Sequence, residues 1–189
     1  SDKTDSQASD DSNSSSTTGY DVSGVKKDEK IAKMLPSSVT KDGKLTVGMD
    51  TSYAPAEFLA ADGKTPVGYD VDMSKAIAQT LGLKPKIVSS MFDTIVPSIG
   101  SKYDLASPAM TITEERLQSV DFVSYYRAGS TWAVQKGNPK KLDTSDMCGA
   151  KIAVQTGTTQ ERKSTRAPNS ARRTTSLTSR SCPTSCRPM

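Results

Sequence analysis

From Lys44 to Asp50 the chain alternates, with Leu45, Val47 and Met49 on one side and polar or small residues on the other, and this period of two predicts a strand. The period then changes. After a loop with Pro55 and a turn at Gly63, the run GYDVDMSKAIAQTLG spaces Met73, Ile77 and Leu81 four apart, which predicts a helix with Asp70 as its N-cap and Gly82 as its stop. A second strand is expected at Lys84 to Ser89. Asp93 is then expected to open a short helix through Ile95, Val96 and Ile99, with Pro97 near its first turn and Gly100 at its close. A third strand follows at Tyr103 to Ser107. Beyond it the pattern predicts a short helix at Glu114 to Gln118, an extended run at Val120 to Val123 and a strand with Trp132 at Ser130 to Gln135. Lys136 to Pro139 turn the chain, and Lys151 to Gln155 is a last strand running into Gly157.

Strand, helix, strand, helix, strand implies a parallel sheet with right-handed crossovers, the doubly wound α/β class. Ligands of such sheets bind beyond the carboxyl ends of the strands. The loops there are Thr51 to Phe58, Ser90 to Asp93 and Pro108 to Thr113, and function is sought in them.

Composition limits the foldable part of the 189 residues. Residues 1–20 are mostly Ser, Thr and Asp, and residues 162–189 contain no Val, Ile, Phe, Tyr or Trp, so neither end buries enough apolar surface to offset ordering entropy. The body runs from about Lys41 to Glu161. Seven Lys or Arg lie in residues 162–189 with no acid, so the formal +4 of the whole chain leaves −3 for residues 1–161. The body is mildly acidic, and the basic balance carries no reading of nucleic-acid binding. There is no histidine, which excludes Ser/His/Asp and Cys/His catalysis and His-ligated zinc. Cys148, Cys182 and Cys186 make no metal spacing, and a free thiol is expected at Cys148. No apolar run reaches the roughly 18 residues of a membrane span, and a start at Ser1 fits a processed or trimmed chain.

Two junctions carry candidate chemistry. In SPAMTITEER, Thr111 and Arg116 flank a strand-to-helix junction where free N–H groups favour an anion; a guanidinium added there can pair both oxygens of a carboxylate. Taken alone, an Arg after two glutamates reads more readily as a solvated surface charge. In QTGTTQE, Gly157, Thr158, Thr159 and Gln160 follow a strand, either as a plain N-cap or as a ligand-facing turn. Tyr53 and Phe92 fall in carboxyl-end loops, where flat side chains could sandwich a ligand or simply pack locally.

The runs KLTVGMDTSYAPAEF, GYDVDMSKAIAQTLG, FDTIVPSIGSKYDLASPAMTITEERLQSVDFVSYYRAGSTWAVQKG and DMCGAKIAVQTGTTQE, in that order, closely resemble the extracytoplasmic solute-binding proteins of polar amino acid ABC transporters. These have the type II periplasmic binding protein fold, and the resemblance spans about residues 41–161. It implies that Tyr53 and Phe92 stack on the ligand's side chain, that Thr111 and Arg116 hold its α-carboxylate, and that Ala109 contributes backbone groups. It implies that Thr158, Thr159 and Gln160 close over the ligand from a second lobe, with Asp50 and Glu57 as weaker polar contacts. Asp70 and Asp72 match a GxDxD element read as structural capping. No catalytic residue, cofactor or metal is implied.

The resemblance divides the chain into a disordered leader or lipoprotein spacer at 1–40, lobe one at 41–130, a hinge and the start of lobe two at 131–161, and a basic disordered tail at 162–189. In the family the chain completes lobe two, supplies an acidic partner for the ligand's ammonium and crosses back. After Glu161 none of that pattern continues, so the tail is expected to be an out-of-frame or foreign end, or a genuine disordered basic tail. The function implied is a monomeric amino acid receptor for import, handing its ligand to an ABC transporter permease, periplasmic or held at the cell surface by an inferred lipid anchor, with no nucleic-acid partner. The alternatives are a dehydratase-like enzyme on the same fold, with Glu57 or Asp50 as acid or base, and an interaction protein acting through its basic tail.

Overall fold

The alternation at Lys44–Met49 becomes β1, the central strand of a parallel sheet in the computed structural model, which describes residues 19–144 and 150–166. On one side β1 pairs with β5 (Lys84–Ser89), in register from Lys44↔Lys84 to Met49↔Ser89. On the other it pairs with β6 (Leu105–Ala106) at Val47↔Leu105 and Gly48↔Ala106. The predicted Tyr103 to Ser107 strand thus shortens to two residues. Asp104 and Ser107 still bond the backbone of Thr46 and Gly48 at its ends. Leu45, Val47 and Met49 are buried against Val71, Ala78 and Leu83, each such side chain contributing about 1.5–3 kcal/mol on full burial.

The helix crossing from β1 to β5 is α3 (Tyr69–Leu81), ended by Gly82 in the left-handed conformation as expected. Its start differs. Gly68, not Asp70, is the N-cap residue, and no side chain caps the helix. The N–H groups of Tyr69 and Asp70 are taken by the carbonyls of Pro55 and Ala56, so the loop's backbone replaces the cap. Gly68 is required there: its φ is +122°, and a Cβ would stand 2.2 Å from the Ala56 carbonyl oxygen. Asp70 sits one residue inside the helix, fully buried.

α4 (Phe92–Ser98) begins one residue before Asp93, because Asp50 accepts the Phe92 N–H. Pro97 therefore lies in the last turn, where its missing N–H ends the helix instead of opening it. The loop after β1 is itself structured. β2 (Ser52–Tyr53), β3 (Glu57–Leu59) and β4 (Pro66–Val67) form a small antiparallel sheet that sets Tyr53 opposite Glu57.

Part of the stretch read as a disordered leader is folded. α1 (Glu29–Ala32) is capped by the Asp28 carboxylate, and α2 (Ser37–Thr40) precedes β1, with Leu35 and Val39 packed on the core. Asp28 N–H bonds the Thr80 carbonyl and Tyr20 N–H bonds Asp72, so residues 20–28 run along α3. α5 (Glu114–Leu117) forms where expected, with Thr113 as its N-cap. The strands expected at Ser130 to Gln135 and Lys151 to Gln155 do not form. Residues 130–135 are all exposed and have no neighbouring strand to take their ladder bonds, and Ile152 alone is a bridge residue. α6 (Thr159–Arg166) carries the chain past Glu161, where composition placed the start of a disordered tail. Cys148, Cys182 and Cys186 lie outside the described residues.

Candidate functional site

Arg116 is the centre of one group of predicted residues. α5 is short, and its last turn brings the Arg116 side chain back under the preceding loop, where Nη1 donates to the Thr111 carbonyl at 2.6 Å. Nη2 reaches the Gly157 carbonyl at 2.8 Å, and Cζ lies 5.5 Å from the centre of the Phe92 ring. The residue is only 9% exposed. Burial pushes its pKa down from the ordinary guanidinium value, the charge of Arg162 acts in the same direction, and Glu115 opposes both. Among the described residues no carboxylate comes within ion-pair distance of Arg116. Two neutral carbonyls serve two of its five N–H groups, which leaves a buried cation short of an anion.

The turn at residues 155–161 packs onto this point. Gly157 has φ +79°, and a Cβ there would meet Asp93 Cβ at 3.0 Å. Thr158 caps α6, its Oγ1 accepting the Glu161 N–H and donating to the Gln155 carbonyl, while the Glu161 carboxylate accepts the Gly157 N–H. The Thr158 hydroxyl is thereby used as a cap. Thr159 and Gln160 bond each other, and Gln160 reaches the hydroxyl of Ser130. Arg162 pairs with Glu115.

Asp50 is already occupied. One oxygen accepts from the N–H and hydroxyl of Ser52, and the other from Phe92 N–H and Gln155 Nε2. It ties the end of β1 to α4 and to residue 155, so its carboxylate serves the protein's own contacts.

A second group lines a cavity of about 900 Å³: Tyr53, Ala109 and Thr111, with Tyr69, Tyr125 and Tyr126 from elsewhere. The rings of Tyr69 and Tyr126 lie 5.8 Å apart. Arg116 and Phe92 do not line this cavity, and Thr111 belongs to both groups. Ala109 is left-handed, with φ +46°.

Glu57 is not at the surface of either group. It is fully buried beside Asp70, and Tyr125 OH donates to Asp70 Oδ1 at 2.7 Å. Burial first, then the bond to Asp70 and the charges of Asp70 and Asp50, push Glu57 up to about 9. Burial also raises Asp70, opposed by hydrogen bonds from Glu57, Tyr125 and the Ala109 N–H. Periodicity gave no signal for this cluster, because its members lie on β3, on α3 and in an irregular segment. Gln155, Gly157 and Asp93 were missed as contacts of the site for the same reason: each meets its partner across more than 40 residues of chain.

Residues 45–176 match the family of bacterial extracellular solute-binding proteins, family 3. The chain is 31% identical to an arginine-binding protein of Corynebacterium glutamicum over 70% of its own length and 43% of that protein's. It is 38% identical to a probable histidine-binding protein of Campylobacter jejuni over 62% of its length and 46% of the other's. It therefore spans about half the length of the curated relatives it matches. Among solved structures, an ancestral amino acid-binding protein described as a precursor of cyclohexadienyl dehydratase aligns with TM-score 0.66 at 37% identity, over 73% of this chain and 63% of that one. A truncated, arginine-bound form of ArgBP from T. maritima aligns with TM-score 0.66 at 36% identity, over 71% and 64%. The shared architecture is the α/β fold of type II periplasmic binding proteins.

Proposed function

Because the chain belongs to the bacterial extracellular solute-binding proteins of family 3, we propose that it captures a free amino acid outside the cytoplasm, as the binding component of an ABC importer. The observation that carries this is Arg116, a buried guanidinium with neutral carbonyl partners and, among the described residues, no carboxylate within ion-pair distance. A ligand carboxylate would supply the missing charge and engage the remaining N–H groups bidentately. Thr111 and Ala109 lie in the loop before α5, Tyr53 and Phe92 have flat faces suited to a ligand's side chain, and residues 158–160 follow Gly157, whose carbonyl meets Arg116. Of the residues weighed as ligand contacts, Glu57 is buried and Asp50 is taken by the protein's own donors.

Binding without chemistry fits the named relatives, an arginine-binding protein and a probable histidine-binding protein. A permease as partner, attachment through a lipid anchor and a monomeric state are parts of the same reading. No helix among the described residues is long and apolar enough to cross a membrane. The test is calorimetry of the 189-residue chain against a panel of amino acids, with mass analysis of the recovered ligand. Saturable heat from an amino acid, returned unchanged and lost in Arg116→Ala, is the expected result. A chemically altered ligand would favour the enzyme reading, and no heat from any amino acid would end the proposal.

A further inference from the structure

Glu57 and Asp70 face one another inside lobe one, both without solvent exposure. Among the described residues, no protein N–H or hydroxyl is bonded to either Glu57 oxygen. An ionised Glu57 would be a buried carboxylate with no donor, which is far costlier than a neutral acid that donates. Asp70 is arranged as the acceptor: Tyr125 OH points at Oδ1, and the amide of Ala109 faces the same carboxylate. Two charges here would repel, and two protons would cost Asp70 its acceptor role. One proton, on Glu57 and given to Asp70, avoids both costs and supplies Asp70 with a further donor.

The groups facing the pair are Asp50 beyond β1, Tyr53 on β2, Tyr69 on α3, and Tyr125 and Tyr126 from the segment after α5, none of them a cation. Each has a place in the candidate site. Glu57 is the register partner of Tyr53. Asp70 follows Tyr69, whose ring packs on Tyr126, and it faces Ala109, whose left-handed backbone precedes the Thr111 carbonyl that holds Arg116. We infer that Glu57 and Asp70 hold a single proton between them and act as positioning residues, fixing Tyr53, Tyr125 and the Ala109 loop around the ligand. The pair itself stands without a ligand; its role in binding rests on the amino acid reading above.

The test uses the full chain labelled with carbon-13 at the glutamate and aspartate carboxyls, with amide exchange followed over residues 105–112 and 120–128. One glutamate resonance, absent in Glu57→Gln, is expected to titrate well above the usual carboxylate range. The ratio of wild-type to Glu57→Gln protection in those segments is expected to fall at least about tenfold between pH 7 and pH 10, since glutamine keeps a neutral donor toward Asp70 at every pH. Taking this as a ratio cancels the intrinsic pH dependence of exchange. All glutamates titrating in the ordinary range, or identical pH profiles for the two proteins, would overturn the inference. If Glu57→Gln does not fold, the wild-type titration decides alone. A high-titrating glutamate in a chain that binds no amino acid overturns the binding reading and leaves the pair. Amino acid binding with only ordinary glutamates overturns the pair.

Discussion

Arg116 joins three parts of the chain through one planar group: the Thr111 carbonyl, the Gly157 carbonyl and the Phe92 ring. Replacing it with alanine removes the one buried cation among the described residues, and a ligand carboxylate left there unpaired costs on the order of 3–5 kcal/mol. Arg116→Ala is therefore expected to weaken amino acid binding by roughly 10²–10³-fold, while Arg127→Ala, at an exposed position, changes it little. Calorimetry of the two variants checks this; equal affinities would remove Arg116 from the site. Gly157 is the matching residue opposite. Its positive φ costs an alanine roughly 1–2 kcal/mol, and the added Cβ meets Asp93, so Gly157→Ala should loosen the turn at 155–161 while the sheet around β1 stays folded. Faster amide exchange confined to that turn is the expected signature, and unchanged exchange there counts against the close approach. Arg116 and Thr111 were legible because their motif is local. The Gly157 carbonyl and Asp50's four donors were not, since nothing in a linear pattern reports which distant backbone will fill a side chain's bonds.

At the scale of elements, α3 matched the periodic reading because Ile77 and Leu81 pack on the core, and β5 formed because β1 takes its ladder bonds along its whole length. Where the neighbour is missing, the pattern failed. The alternation at Ser130 to Gln135 found no strand to pair with, and a strand without a partner leaves its backbone to water. The start of α3 was misread for another reason. Asp70 is a residue type that caps helices, yet the loop carbonyls of Pro55 and Ala56 approach closely enough to do that work, and only glycine fits at position 68 beneath them. Gly68→Ala drives a Cβ into backbone rather than into a flexible side chain, so the loop or the helix must move. A loss of more than about 3 kcal/mol is expected, in the range that marks backbone disruption. Chemical denaturation measures it, and a variant within about 0.5 kcal/mol of wild type would mean the loop yields freely. α1 and α2 show the converse case. Leu35 and Val39 reach the core from a stretch whose composition reads as a spacer, since two apolar residues among many polar ones are enough to dock a short segment.

For the molecule as a whole, the buried acids set how stability follows pH. Glu57 and Asp70 both bind their protons more tightly when folded than when unfolded, burial being the first cause in each case. Between the ordinary carboxylate range and about 9, the value to which Glu57 is raised, the native state thus holds more protons than the unfolded chain. Stability must fall as pH rises through that window, with a limiting slope of about 1.4 kcal/mol per pH unit for each full proton of difference. Asp62 has the opposite sign: hydrogen bonds from the Thr65 hydroxyl and the Thr65 and Lys64 N–H groups lower its pKa, so its contribution is lost only as pH drops below the carboxylate range. It is fully exposed and adds little. The stability contributed by the buried acids is therefore greatest at the acid end of the carboxylate range and is lost as pH rises. Urea denaturation from pH 4 to pH 9 is expected to give a midpoint that declines steadily as pH rises from the carboxylate range toward 9. Glu57→Gln, which removes the ionisable group but keeps a donor for Asp70, should flatten that decline. A midpoint constant from pH 5 to pH 8.5 in the wild type, or an equal decline in both proteins, would show that the interior does not retain the proton.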